Sequence, residues 1–286
     1  MNANSPSQIP TINDWLNNAS NKLSGVNIPS SKLDAELILA SCLNKNRTYL
    51  HAHNNKILTI KSITMANNKL KLRLKRIPIA YITGYKEFYG RQFIVTSNTL
   101  IPRPESETII ELLNKIIKPN SNSQIPIAKL IDIGTGSGCL GITAKLEHPT
   151  INVTLTDISK PALKIAKKNA HDLRAKVKFI NDDLLHKCIE KFDVIIANLP
   201  YVDNKWDRLP ETSHEPSLAL FADDNGLYLI KKLIRQVVVN LNPNGYLIIE
   251  ADPLQHKEII KFASKYSYSL FNQKDYIITL KLKYID

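Results

Sequence analysis

The chain has 286 residues, a formal net charge of +12, 43% hydrophobic and 22% charged residues, a balance that belongs to a folded globular protein and excludes a disordered one. No run of about 18 apolar residues occurs, and the first residues lack a basic stretch followed by an apolar one, so neither a membrane span nor a secretory leader is expected. Cys42, Cys139 and Cys188 are odd in number, far apart and outside any CxxC pair, which argues against disulfides or a metal site and for the cytoplasm. The length admits one large domain and a small one. The positive charge fits either a solvated face or an acidic, RNA-bearing partner. Because the lysines are spread along the chain (Lys69, Lys71, Lys75; Lys164, Lys167, Lys168; Lys281, Lys283), no direct contact with nucleic acid is required.

Residues 11–76 hold helical patterns and no convincing strand. Thr11 is placed to cap a helix carrying Ile12, Trp15, Leu16 and Leu23, and Ser30 or Ser31 one carrying Leu33, Leu37, Ile38 and Leu43. A third pattern covers 57–74. Together they predict a small all-α domain over 1–77. Residues 78–103 carry short β-prone runs punctuated by glycine (Tyr81-Ile82-Thr83-Gly84, Phe88-Tyr89-Gly90, Phe93-Ile94-Val95) and predict a hairpin linker. Pro104 suits the first position of a helix with Glu105 and Glu107 in its first turn and Lys115 and Lys118 near its end, stopped by Pro119 before a loop over 120–128.

From Lys129 onward, strands and helices alternate. Strands are predicted at 130–133, 153–156, 177–180, 192–197 and 246–249, and helices at 139–146, 161–173 and 227–241. Two further β-prone runs, 267–272 and 276–284, flank a polar turn. Residues 104–286 are therefore predicted to form an α/β domain: a doubly wound, mostly parallel seven-stranded sheet with an antiparallel C-terminal hairpin, preceded by the helical domain.

Two constellations carry chemistry. Gly134-Thr135-Gly136-Ser137-Gly138 follows the first strand of the sheet, where glycines make a tight turn and let backbone N–H groups approach a ligand. The second strand ends at Asp157, 23 residues after Gly134, where a carboxylate can accept from both hydroxyls of a ribose. The third ends in Asp182-Asp183-Leu184, where an adenine would lie. These features fit a dinucleotide or S-adenosyl-L-methionine. The fourth strand delivers Asn198-Leu199-Pro200-Tyr201. The Asn198 side chain and the Leu199 carbonyl can each accept a hydrogen from one planar NH₂ group. Pro200 biases Leu199 toward an extended conformation, and Tyr201 offers a flat face. Such a site suits a poorly nucleophilic amide or base nitrogen held toward the methyl of a sulfonium. Alone, it does not choose between glutamine and adenine.

The order GTGSG, Asp157, Asp183, NLPY resembles class I S-adenosylmethionine-dependent methyltransferases with an amino-group target. Pro78-Ile79-Ala80-Tyr81-Ile82-Thr83-Gly84, Lys86-Glu87-Phe88-Tyr89-Gly90 and Leu100-Ile101-Pro102-Arg103-Pro104-Glu105-Ser106-Glu107 are similar to segments of the release factor glutamine methyltransferases of the PrmC/HemK type, as are His214-Glu215-Pro216 and Ala219-Leu220. The resemblance implies transfer of a methyl group from S-adenosyl-L-methionine to the glutamine of a Gly-Gly-Gln tip in a peptide chain release factor, by a monomer, in translation termination. It implies that Gly134, Thr135, Gly136, Ser137, Gly138, Asp157, Asp183, Leu184 and Asn198 hold the cofactor, and that Asn198 and Tyr201 are catalytic. Arg103, Asn198, Leu199, Pro200 and Tyr201 would hold the substrate, with the N-terminal domain docking the release factor. The chain departs from the family's usual residues at Leu199, Leu184 and His214. Alternatives are a ribosomal-protein glutamine methyltransferase, an RNA adenine-N6 methyltransferase and a non-catalytic S-adenosylmethionine-binding module.

Overall fold

A computed structural model describes residues 9–117, 129–207 and 209–283. The chain divides into two compact units, Met1–Gly84 with Leu209–His214, and Tyr85–Arg208 with Glu215–Asp286.

The first unit is helical: α1 (Ile12–Ser24), α2 (Ser31–Leu43), α3 (Arg47–Ala52), α4 (Ile60–Leu74) and α5 (Ile79–Thr83). Thr11 and Asp14 form a reciprocal capping box at the start of α1, each satisfying an N–H that the helix itself leaves free. Ile12, Trp15, Leu23, Ile38, Leu39, Leu50 and Leu70 build the core. The helix expected over 57–74 is α4, which begins at Ile60 because the Thr59 side chain accepts from the Ser62 N–H and caps it there, and α3 precedes it without having been expected. Leu33, expected on the buried side of α2, is exposed, while Asp34 and Glu36 of that helix are buried. Their charges are met: Arg73 donates to Asp34 at 2.6 Å and to Glu211 at 3.0 Å, and Arg47 donates to Glu36 at 2.7 Å. Stranding such a carboxylate would cost about 3–5 kcal/mol. Tyr81-Ile82-Thr83 is helical rather than extended. Ala80 and Ile82 are buried on one side of this single turn, the Thr83 hydroxyl donates back to the Ile79 carbonyl, and Gly84 at φ +86° ends it.

The second unit opens with the expected hairpin, β1 (Tyr85–Phe88) paired antiparallel to β2 (Arg91–Ile94). Its two-residue turn, Tyr89-Gly90, has both φ positive, the geometry that matches strand twist. Pro104–Ser106 is a 3₁₀ turn leading into α6 (Glu107–Ile116). The expected stop at Pro119, with Lys118 and the loop over 120–128, lies outside the described residues. The sheet then comprises β3 (Lys129–Ile133), β4 (Asn152–Asp157), β5 (Lys178–Asn181), β6 (Phe192–Ala197), β7 (Leu241–Glu250), β8 (Tyr268–Lys274) and β9 (Ile277–Leu282), in the order β5-β4-β3-β6-β7-β9-β8. Pairing is parallel from β5 to β7 and antiparallel at β9 and β8. This is the doubly wound sheet with an antiparallel C-terminal hairpin that the sequence predicts.

Strand residues alternate between two cores. Ile131, Ile195 and Leu247 face one, with α9 (Tyr228–Val237) and α10 (His256–Ala263) packed on it. Leu130, Val194 and Ile248 face the other, under α6, α7 (Cys139–Glu147) and α8 (Lys160–Asp172). The helix expected over 227–241 stops at Val237. The Asn240 side chain instead donates to the Cys188 and Glu190 carbonyls, and Leu241 starts β7 opposite Phe192. Helix α10, which the sequence pattern did not reveal, follows a 3₁₀ turn at Pro253–Gln255 with its own capping box from Asp252 and Gln255. Since β3 has β4 on one side and β6 on the other, the strand order reverses between β3 and β6, and a crevice opens at their carboxyl ends.

Candidate active site

A cavity occupies that crevice. Four elements bring the sequence-predicted residues to it: Gly134 to Ser137 after β3, Asp157 at the end of β4, Asp183 and Leu184 after β5, and Asn198, Leu199 and Pro200 after β6. Arg103 and Ser106 also line it. Gly138 and Tyr201 are not among its lining residues.

On the β3–β4 side, the chain backbone makes the wall. The Gly134 and Thr135 N–H groups both donate to the Thr156 carbonyl, at 2.9 and 3.0 Å, folding the glycine loop back onto β4. Gly134 has φ +70°, and a Cβ there would lie 2.9 Å from Leu199 Cδ2, so the position is closed to any other residue without a shift. The loop is braced from inside by Asp132, whose Oδ2 accepts from the Thr135 hydroxyl at 2.6 Å and the Gly141 N–H at 2.9 Å. Complete burial pushes its carboxyl up to about 6, against the pull of those two bonds. Asp157 accepts from the Gly136 N–H at 2.9 Å and the Ser159 N–H at 2.8 Å, one on each oxygen. Each oxygen keeps a lone-pair direction for a further donor. Burial raises its pKa.

The cavity suits a nucleoside. Ser137 and Thr156 line it, and the buried Thr156 hydroxyl has no hydrogen-bond partner among the described residues. The space in front of Gly136 is open. At the third strand the Asp183 carboxylate is held by Lys232 at 2.6 Å. Leu184 is buried at φ +56°, an uncommon conformation for a residue with a Cβ. Asp182 supports it by accepting from the Asp183 and Lys187 N–H groups.

On the β6–β7 side, side chains make the wall. Asn198 Nδ2 donates to Ser106 Oγ at 3.1 Å, the Ser106 hydroxyl donates to Glu250 Oε2, and the Tyr201 hydroxyl donates to Glu250 Oε1 at 3.2 Å. Glu250, at the end of β7, is 2% exposed. Burial lifts its pKa, opposed by hydrogen bonds from Ser106, Tyr201 and Asn198. Burial and the neighbouring Glu250 charge likewise raise the Tyr201 phenol. The Tyr201 carbonyl is fixed by Gln255 Nε2 at 2.9 Å and crowded by Gly226, where a Cβ would lie 1.9 Å from it. Arg103 donates to Glu215 Oε1, and Glu215 Oε2 accepts the Ile101 N–H at 3.1 Å.

Ser106, Glu215, Gln255 and Glu250 have no role in the sequence reading. Glu250 stands one residue beyond the strand predicted at 246–249, and a carboxylate at the carboxyl end of a central strand was the available signal.

Residues 110–213 match the family model of the Methyltransferase small domain, and residues 14–84 that of the PrmC N-terminal domain. Over 255 residues the chain is 37% identical to a release factor glutamine methyltransferase from Koribacter versatilis (strain Ellin345), covering 85% of this chain and 89% of that protein. The chain belongs to the release factor glutamine methyltransferase family. It is also 34% identical over 291 residues to a bifunctional methyltransferase from Rickettsia bellii (strain RML369-C); that match covers 92% of this chain and 52% of the relative, so the chain spans about half its length. The crystal structure of a methyltransferase from Pyrococcus furiosus shares the fold, with TM-score 0.52 and 19% identity over 77% of this chain and 100% of that one. Within this family member, Arg103, Ser106, Glu215 and Glu250 all lie outside the Methyltransferase small domain match, so the β6–β7 wall draws on both flanks of that segment.

Proposed function

We propose that the chain transfers a methyl group from S-adenosyl-L-methionine to the side-chain amide of the glutamine in a release factor's Gly-Gly-Gln tip, giving N5-methylglutamine. The observation that carries this reading is Asn198, held by its Nδ2 to Ser106, on a cavity it shares with the glycine loop and Asp157. When bound, the cofactor supplies a methyl carbon made electrophilic by a positively charged sulfur. Asp157 would accept from its ribose hydroxyls, Gly134 to Gly138 would cradle it, and Asp183 and Leu184 would border its adenine.

With Nδ2 committed, Asn198 presents Oδ1 to accept a hydrogen from the substrate amide, and the Leu199 carbonyl takes the other. Two acceptors hold the NH₂ group while its lone pair faces the methyl. Held this way, the nitrogen would take the methyl that the sulfonium supplies, the carbon–sulfur electron pair remaining with sulfur, and would give up one of its two protons. Tyr201 braces the tetrapeptide. Arg103, fixed by Glu215, would donate to a carbonyl of the incoming loop. The helical bundle over 1–77 serves as the docking domain for the release factor, 78–103 as linker and 104–286 as the catalytic domain. The protein acts as a monomer in the cytoplasm and needs neither a metal nor direct contact with nucleic acid.

The test is incubation with S-adenosylmethionine and purified release factor, followed by mass spectrometry of the Gly-Gly-Gln peptide. One methyl on the glutamine is the expected result. Methyl transfer to RNA alone, or cofactor binding without transfer, would overturn the reading.

A further inference from the structure

Glu250 is a buried acid with no cationic partner among the described ion pairs. Its carboxylate accepts from Ser106 and Tyr201, which stand 144 and 49 residues away in sequence. The titratable groups that act on it or on its partner are acidic or neutral: Glu105 from the turn before α6, Tyr201 from the loop after β6, Cys139 from the start of α7, and Tyr276 and Asp252, which act on Tyr201. A carboxylate kept in such a place is costly, and its effect on its neighbours is directional. An ionised carboxylate only accepts hydrogen bonds. The Ser106 hydroxyl must therefore spend its single hydrogen on Glu250, which leaves Ser106 Oγ with lone pairs alone to offer Asn198. Only the amide nitrogen can answer a lone pair, so Asn198 turns Nδ2 toward Ser106 and Oδ1 away from it.

We propose that Glu250 is the positioning residue of the methyl-accepting site, its charge fixing, by the direct pull on the Asn198 amide and through Ser106, which end of that amide faces the substrate. The inference rests on the function proposed above. Once Glu250 is protonated it can donate, Ser106 is free to donate to Asn198 Oδ1, and the amide loses its single orientation. The ionised form is the productive one, so turnover falls as pH drops through the Glu250 pKa, which burial holds above the ordinary glutamate value.

The experiment compares wild type, Glu250→Gln and Ser106→Ala. Glutamine keeps the shape but offers one acceptor and one donor. Both variants are expected to lose about 10- to 100-fold in kcat, with the dissociation constant for S-adenosylmethionine within about twofold of wild type by calorimetry. The acidic limb of the wild-type kcat profile is expected to vanish in Glu250→Gln. The double variant is expected to be no worse than the poorer single one, because the two residues act in series. Glu250→Gln turning over within about twofold of wild type with its acidic limb intact overturns the proposal. If wild type methylates no release factor, the proposed function fails separately. The orientation is then read by NMR from the Asn198 side-chain NH₂ resonances, assigned with Asn198→Ala: their position shifts with pH in wild type and not in Glu250→Gln, and pH-independent wild-type resonances overturn the proposal.

Discussion

The two walls of the cavity are each stiffened by a buried carboxylate with a raised pKa, and they differ in where those carboxylates find partners. Asp132 takes its bonds from Thr135 and Gly141, three and nine residues ahead. Glu250 takes its bonds from 49 and 144 residues away. The brace of the nucleoside wall is thus a local motif of one strand, one glycine loop and one helix, which the neighbouring β4 then joins through Thr156 and Asp157. The acceptor wall exists only after the turn before α6, β6 and β7 have come together. The first is suited to a ligand common to many enzymes, and the second to a substrate particular to a few.

The sharpest way to break this comparison is Asn198→Ala. It removes the acceptor but none of the backbone that shapes the nucleoside wall, so methyl transfer is expected to drop by about 10²–10³-fold while cofactor affinity changes far less. Mass spectrometry of the methylated peptide and calorimetry read the two walls independently. Equal losses in both would mean that the walls are not separate devices.

Asp132 tests the local brace. Its folded-state pKa is raised from 3.8 to about 6, so the folded protein binds that proton more tightly than the unfolded chain does. Its contribution to stability is therefore fullest below about pH 4 and is lost as pH rises through about 6, by about 3 kcal/mol at most. Asp157 and Glu250 act in the same direction. The difference between wild type and Asp132→Asn in denaturant titrations from pH 4 to 7 isolates the Asp132 share, and a constant difference across that range would remove it from the brace. Asp157→Ala is expected to weaken S-adenosylmethionine binding by about 1–3 kcal/mol through lost charge-assisted hydrogen bonds. Calorimetry checks it, and an unchanged dissociation constant would place the ribose contact elsewhere.

The same contrast explains what could be read from the sequence. Strand–loop–helix periodicity and glycine spacing report structure within about ten residues, so the sheet, the glycine loop, Asp157 and Asn198 were all legible. Ser106 and Glu250 are single polar residues whose partners are remote; the end of a strand marks Glu250, and nothing in its own neighbourhood announces Ser106. Ser106 lies in the segment 100–107, whose resemblance to the family gives it no role of its own. Short elements failed for a related reason: one turn at Ile79–Thr83 has too few residues to show a period, and its β-prone tyrosine, isoleucine and threonine are helical because tertiary packing buries Ala80 and Ile82. Helix α9 ends at Val237 although the apolar pattern runs on to Leu241, since Leu241 is needed opposite Phe192 in the sheet.

The finest test lies where the walls touch. Leu199 belongs to the acceptor wall, and its Cδ2 sits 2.9 Å from where a Gly134 Cβ would be. Gly134→Ala carries two costs, a backbone one of about 1–2 kcal/mol from placing a Cβ at positive φ and a steric one from Leu199. Leu199→Ala removes the second cost and leaves the first. In a double-mutant cycle read by denaturant unfolding, Gly134→Ala is therefore expected to be milder in the Leu199→Ala background by about 0.5–1 kcal/mol. A coupling of zero would mean that the loop yields freely and that the walls are positioned independently. The expected coupling would mean that seating the nucleoside loop also sets the strand end that carries Asn198, so that the local motif helps to aim the remote one.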